Sequence, residues 1–324
     1  MTETHIIFTH GGGRLANQLM SHAHLLAFCA QHPGQFTLCN TAIWPWRTQF
    51  AHDPVFPDSA RPPLAARLCE YLLKAGGGKG LRYLLPAVYR FSCLMSGVNR
   101  VGTADVVGPF DLPMDKLPAI DLSDPGMRAL LGRRRTLLLS GWHIRSWTLV
   151  KAHRKTLLER MLPEKSVTDS ARRLVQKARA TGNFLVGVHI RRSDYRTYKD
   201  GRFFYELHHY KEWMRQVQVR YKEKGGISFL VCSDEDLPSG CFGDMNVTIA
   251  QSFDVATPLR DNTALSYCDL IMAVPSTFAL WAAFMGSVPM LILTDASVDL
   301  TDAPLIQDSF FDWLDHPMAA ELPI

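Results

Sequence analysis

The chain has 324 residues, of which 47% are hydrophobic and 20% charged, with a formal net charge of +4. That length suits two α/β domains better than one core, and the composition is that of a globular protein, not a disordered or fibrous one. No basic stripe with interleaved aromatics is present, so a nucleic-acid partner has no support.

The charge is unevenly spread. Residues 1–165 hold 20 Lys and Arg against 11 Asp and Glu, whereas residues 166–324 hold 15 against 20. A change of sign between halves supports two domains. A basic first half could meet an anionic acceptor or a phospholipid surface, although plain solvation explains it as well. The seven cysteines include no C-x-x-C pair and mostly sit in apolar runs, which predicts buried thiols and a cytoplasmic home. The start lacks a basic region and a long apolar run, so no signal peptide is expected. Residues 270–294 carry no charge, but Pro275, Ser276, Thr277 and Pro289 interrupt them. Strand, turn, buried helix and second strand explain that pattern better than a membrane span.

In chain order, 5–9 reads as a strand, and Gly11-Gly12-Gly13 leads into a helix over 15–30 with Leu15, Leu19, His22 or Ala23, and Leu26 at helical spacing. A second strand is expected at 35–39, then an irregular Pro- and Trp-rich stretch over 44–65. The glycines at 76–80 lack the G-K-S/T ending of a P-loop and read as a turn. Arg133-Arg134-Arg135 reads as an exposed turn, Leu137-Leu138-Leu139 as a strand, and 151–161 as a helix. The best boundary falls after Pro163, giving domains 1–165 and 166–324. The second half alternates: helix 167–180, strand 184–189, helix 207–224, strands 227–232 and 246–250, helix 260–268, strand 269–274, helix 277–286 and strand 288–293. Such alternation predicts an α/β fold with a parallel sheet covered on both faces.

Four clusters fall at strand exits or helix starts. In Gly11-Gly12-Gly13-Arg14-Leu15-Ala16-Asn17-Gln18, glycines let backbone N–H groups approach an anion at the positive end of a helix. The string fits the dinucleotide fingerprint G-x-G-x-x-A, yet Cys39-Asn40 stands where a ribose-binding acid belongs, so NAD has little support. In Phe184-Leu185-Val186-Gly187-Val188-His189-Ile190-Arg191-Arg192-Ser193-Asp194-Tyr195, an apolar strand ends in two arginines, planar forks suited to a diphosphate. Solvated arginines at a strand end are the plain alternative. In Cys232-Ser233-Asp234-Glu235-Asp236 the acids could hold a divalent metal, or Asp234 could accept from a guanine edge, or the run could be a helix cap. Pro275-Ser276-Thr277-Phe278 opens a helix and offers either a second anion seat or an ordinary N-cap.

Taken together, Gly-Gly-…-Asn17-Gln18, His189-x-Arg191-Arg192-x-Asp194-Tyr195 and Ser276-Thr277-Phe278-Ala279-Leu280-Trp281-Ala282-Ala283 resemble glycosyltransferase family eleven, the bacterial α-1,2-fucosyltransferases. Lys199-Asp200-Gly201-Arg202-Phe203-Phe204 and Ser140-Gly141-Trp142-His143-Ile144-Arg145-Ser146-Trp147 extend the match. The arginine motif is shared with α-1,6- and protein O-fucosyltransferases, so it speaks for the donor more than the acceptor. The chain departs from the family's pattern at Ala16, Ser193 and Ala279-Leu280, which touches acceptor preference and not phosphate chemistry.

The resemblance implies a GT-B-like fold, two Rossmann-like domains facing each other across a cleft, the first on the acceptor side and the second binding the GDP-sugar. It implies an inverting transfer of L-fucose from GDP-fucose to a galactoside hydroxyl in α-1,2 linkage, in lipopolysaccharide, O-antigen or oligosaccharide synthesis. The acceptor would be a galactose-terminated oligosaccharide or lipid-linked glycan, with no metal or other cofactor, in a cytoplasmic protein touching the inner face of the plasma membrane at most peripherally. Arg191 is then the main phosphate ligand, with Arg192 and Asn17 completing the catalytic set. Gly12, Gly13, Arg14, His189, Asp194, Asp234, Ser276, Thr277 and Phe278 line the donor, with His189 and Asp234 toward guanosine. Transfer in another linkage, such as α-1,6, and a non-catalytic glycan- or nucleotide-binding protein are the alternatives. Asp194 reads as a pin for the arginines, and neither Asp200 nor Glu206 has a clear role as base.

Overall fold

A computed structural model describes residues 4–8, 12–55, 57, 71, 120–131, 136–139, 141, 144–180, 182–252 and 257–320. The glycines at 76–80, the arginines 133–135, and residues 11, 140, 142 and 143 lie outside these. The chain divides into two compact units, Met1–Glu164 and Lys165–Ile324.

The first unit is built on β1 (Thr4–Phe8), α1 (Leu15–Gln31), β2 (Phe36–Asn40) and β4 (Thr136–Leu139), with β1 paired in parallel to β2 on one side and β4 on the other. A second parallel pair joins β3 (Ile120–Asp121) to β5 (Ile144–Arg145), and α2 (Pro125–Leu131), α3 (Trp147–Ala152) and α4 (Arg154–Arg160) complete its described elements. Leu15, Leu19, His22, Ala23 and Leu26 are all buried, as their spacing predicts, and α1 also buries His24. Two expectations need correction here. The stretch after β2 is not irregular throughout, because Thr41–Gln49 is a 3-10 helix. The Asn40 carboxamide accepts from Ala42 N–H at 3.0 Å and the Thr41 hydroxyl donates to the Phe8 carbonyl at 3.0 Å, so β2 and β1 fix its start. The helix expected at 151–161 starts earlier and breaks at His153, since Ser146 caps α3 by accepting from Leu149 N–H.

The second unit has the predicted alternation: α5 (Lys165–Arg179), β6 (Phe184–Ile190), α6 (Leu207–Arg220), β7 (Ile227–Ser233), β8 (Val247–Ile249), α7 (Pro258–Leu265), β9 (Leu270–Ala273), α8 (Thr277–Gly286), β10 (Met290–Ile292) and α9 (Ser309–Leu314). Its five strands are all parallel, in the order β10-β9-β6-β7-β8. A strand buried on both faces carries apolar side chains at every position, which is why 184–190 reads as a run and not an alternation. α5 buries Ala171, Leu174, Val175 and Ala178, a single stripe, and α8 is apolar nearly all round because Ala279 to Phe284 are all covered. Among the described residues no helix is long and apolar enough to cross a membrane, and 270–294 resolves into β9, α8 and β10.

Gly187 shows why a glycine interrupts β6. A Cβ there would lie 2.7 Å from Leu265 Cδ2 and 2.9 Å from Cys268 Sγ, so α7 and the turn after it pack directly on the strand. The order of the strands also decides where a ligand can sit. From β6 the chain moves outward to β7 and β8, then crosses back to lay β9 and β10 on the other side of β6. Between β6 and β9 the direction reverses, and the carboxyl ends of two such strands leave a crevice. The loops leaving them are the arginine motif and the Pro275-Ser276-Thr277 turn.

Candidate functional site: an arginine loop beside a serine turn

Register alone brings three of the four clusters together. His189 pairs with Cys232 of β7 and with Ala273 of β9, so residues 190–194, 233–235 and 274–277 leave adjacent strands at the same level. His189, Arg191, Arg192, Asp194, Asp234, Ser276, Thr277 and Phe278 therefore share one end of one sheet. Gly12, Gly13, Arg14 and Asn17 belong to the first unit, at the start of α1. There Gly12 and Gly13 adopt φ of 75° and 64°, and Asn17 folds back so closely that a Cβ on Gly13 would lie 1.8 Å from its Nδ2.

Arg191 lies over the Tyr195 ring at 5.4 Å and points its fork at Asp194, with Nε donating to Oδ1 at 2.9 Å and Nη2 to Oδ2 at 2.8 Å. Burial alone would weaken the guanidinium's hold on its proton. The bond to Asp194, with the charges of Asp194, Tyr195 and Asp234, reverses that and raises its pKa. Only 14% of the Arg191 side chain is exposed, against 48% for Asp194, so the carboxylate is the partner that can move aside. A fork that holds a carboxylate bidentately has the geometry to hold a phosphoryl group in the same way.

Arg192 faces elsewhere. It donates to the Tyr205 carbonyl at 3.0 Å, to Glu206 at 3.2 Å and to Glu235 at 3.3 Å, and it stacks on Phe204 at 4.7 Å. Arg196 reaches the same Glu235 at 2.8 Å. Arg192 thus ties the loop to the start of α6, and Glu206 is engaged as its partner.

Asp234 has a role the sequence did not reveal. One oxygen accepts from Arg192 N–H at 2.8 Å and Ser193 N–H at 3.3 Å; the other takes the Ser193 hydroxyl at 2.5 Å and lies 3.3 Å from Arg191 Nε. Three hydrogen bonds from the loop and the Arg191 charge thus converge on one carboxylate. Asp234 therefore clamps the arginine loop. Burial raises its pKa, but the Ser193 and Arg192 hydrogen bonds and the Arg191 charge outweigh that and lower it. Among the described residues no group of three or more His, Cys, Asp or Glu is placed to hold a metal ion.

On the other side of the crevice, Ser276 is buried and caps α8 by accepting from Ala279 N–H at 3.2 Å. Its hydroxyl also exchanges a hydrogen bond of 3.3 Å with His189 Nδ1. The cap reading of Ser276 is thus correct, and its hydroxyl is already engaged, whereas Thr277 beside it is half-buried at the start of α8. His189 is itself only 3% exposed, packed at 4.7 Å against Phe278, so it supports the turn from below. Tyr195, quoted only as part of a motif, joins the same two loops through a hydroxyl that donates to the Pro275 carbonyl at 2.7 Å.

No family model and no curated protein matches the sequence. Solved structures do match. A mutant of Arabidopsis thaliana FUT1 in complex with GDP aligns over 90% of this chain and 70% of its own, with a TM-score of 0.53 at 11% identity. The α-1,6-fucosyltransferase NodZ soaked with GDP-fucose aligns over 95% of this chain and 100% of its own, with a TM-score of 0.52 at 16% identity; NodZ comes from Bradyrhizobium. POFUT1 in complex with GDP-fucose aligns over 90% and 98%, with a TM-score of 0.51 at 14% identity. The chain shares the fold of these fucosyltransferases. The parallel-sheet α/β class read from the alternation is theirs as well.

The buried histidines make stability depend on pH. Burial, with the Arg191 charge added and Asp234 opposing, lowers His189 to about 3. Burial and Arg160 lower His22 to about 3, and burial with Arg145 holds His24 well below its usual value, against a bond from Ser146. Each folded pKa lies below the unfolded value near 6.5, so the unfolded chain binds protons first as pH falls. The stabilisation is complete above about 6.5 and is lost toward 3, by up to about 1.4 kcal/mol per pH unit for each histidine. Urea unfolding should show midpoints that fall from pH 7 to pH 5, with a shallower slope in His189→Gln. Midpoints that stay level over that range would contradict the neutral burial of these rings.

Proposed function

We propose that the chain is an inverting fucosyltransferase that moves L-fucose from GDP-fucose to a galactoside hydroxyl in α-1,2 linkage, serving surface glycan synthesis. The observation that carries this reading is that the Arg191 loop and the turn opening α8 leave adjacent strands, β6 and β9, at the point where strand order reverses. The shared fold supports it, since the structures it is shared with hold GDP or GDP-fucose.

Transfer breaks the bond between the anomeric carbon and the diphosphate oxygen, which leaves with the bonding pair as GDP, while an acceptor hydroxyl attacks from the opposite face and releases its proton to water. Negative charge gathers on the departing diphosphate as the sugar carbon becomes cation-like. Fixed donors aimed at that charge stabilise the transition state more than the ground state. Arg191 supplies a permanent positive charge and a planar fork, and α8 supplies N–H groups with the positive end of its dipole. Asp194 holds the fork ready and gives way to phosphate, while Arg192 and Asp234 hold the loop. In this reading arginine takes the place of a divalent cation, and the enzyme works in the cytoplasm with at most peripheral membrane contact. Turnover should therefore be unchanged in excess EDTA, and a loss restored by magnesium or manganese would overturn that point.

The α-1,6 description of NodZ favours a second linkage. Incubation with GDP-fucose and lactose or another galactose-terminated oligosaccharide, followed by NMR of the product, separates the two. A fucose H1–galactose C2 correlation is expected. A correlation to a C6 position would support the second linkage, and GDP-fucose left intact with every acceptor would overturn both.

A further inference from the structure

Tyr195 lies in neither seat, yet it is built into both. It is only 6% exposed, its ring lies under the Arg191 guanidinium at 5.4 Å, and it stacks on Tyr198 at 5.3 Å with Phe203 tilted against it at 6.5 Å. Its hydroxyl donates across 80 residues of sequence to the Pro275 carbonyl at 2.7 Å. That carbonyl shares a rigid peptide plane with the N–H of Ser276, the capping residue of α8. Whatever holds the oxygen therefore sets the tilt of the plane and turns the Ser276 N–H away from Tyr195. A second tie runs from β6 to the same turn, where His189 meets Ser276 at 3.3 Å and Phe278 at 4.7 Å. The two tying residues lie on either side of Arg191 in sequence, and of the two only Tyr195 bonds the backbone that leads into the helix.

We propose that Tyr195 is a positioning residue that fixes the distance between the Arg191 fork and the amino end of α8, so that the pair selects an anion carrying two linked phosphoryl groups over one carrying a single group. The inference rests on the donor-diphosphate reading above and assigns its selectivity. Two seats at a fixed separation bind a two-headed ligand with one loss of freedom instead of two, and the gain disappears if the seats move independently. A single phosphoryl group uses one seat and is indifferent to their separation.

Calorimetric titration of the full chain with GDP and with GMP tests this. Wild type should prefer GDP, and Tyr195→Phe, which removes one oxygen, should lower GDP affinity about tenfold while changing GMP affinity less than about twofold. A general loosening of the fold would weaken both alike, so the ratio reports position and not stability. Placing 4-aminophenylalanine at 195 restores an N–H donor at the same point and should recover most of the ratio. It decides the question on its own should Tyr195→Phe not fold. Pro275→Ala keeps the carbonyl and should keep the ratio. A wild-type ratio in Tyr195→Phe would overturn the role of Tyr195 while leaving the donor site standing. Failure of wild type to bind GDP at all would instead overturn the donor reading.

Discussion

If the proposed transfer is correct, Arg191→Ala should lower it on the order of 10²-fold or more, which corresponds to roughly 3 kcal/mol of transition-state stabilisation removed with one charged donor. The size follows from where the guanidinium sits. Its side chain is 14% exposed, backed by Tyr195 and held by Asp194, so little water is available to replace it at a developing charge. The loss should fall mainly on kcat, because the charge it opposes is greater in the transition state than in bound GDP-fucose. The variant should also fold, since Asp194 is half exposed and can turn to solvent while Asp234 keeps its three hydrogen bonds from residues 192 and 193. Arg191→Lys keeps the charge but loses the fork and should fall between the two. Steady-state rates with GDP-fucose and a galactoside, alongside thermal melts, check this. A variant within about threefold of wild type would remove Arg191 from the role assigned to it.

Asp234→Ala should weaken GDP, UDP and inorganic pyrophosphate together, on the order of 10- to 100-fold, without changing the preference among bases. Two loop N–H groups, the Ser193 hydroxyl and Arg191 Nε converge on this carboxylate. Hydrogen bonds to a charged group contribute about 1.5–3 kcal/mol each, so their common loss frees the 191–193 backbone and lets the fork wander. Asp234→Asn keeps an oxygen for the two N–H groups and should cost less. A carboxylate that read guanine would behave differently: GDP would weaken while UDP and pyrophosphate held. Parallel calorimetric titrations with the three ligands distinguish a loop clamp from a base reader, and a loss confined to GDP would show the clamp to be the wrong description.

The contrast between these residues shows what a sequence can carry. The strands and helices of the second unit are visible along the chain because β6, β7 and β9 are covered on both faces and the helices between them keep an apolar stripe. Gly, Pro and Ser mark their ends. The Arg191–Asp194 pair is local, three residues apart, so Asp194 could be read as its pin. Asp234 lies more than forty residues from the loop it clamps, and only the β6–β7 register reveals the pairing. Tyr195 and Pro275 are further apart still. Ser276 shows a different limit. A capping serine and a phosphate-binding serine occupy the same place before a helix, and they differ only in whether the hydroxyl is already engaged, as it is here with Ala279 and His189. In the first unit, Asn40 read as a missing ribose acid, whereas its side chain starts a 3-10 helix and meets His22 at 2.9 Å.

The central claim is that a diphosphate seats itself between the Arg191 loop and the amino end of α8. Phosphorus NMR of GDP titrated with the full chain in EDTA tests it most directly. Both phosphorus resonances should shift on binding to wild type, and the shift of at least one should vanish in Arg191→Ala. Resonances that stay in place with wild type, or that move equally in the variant, would contradict the account.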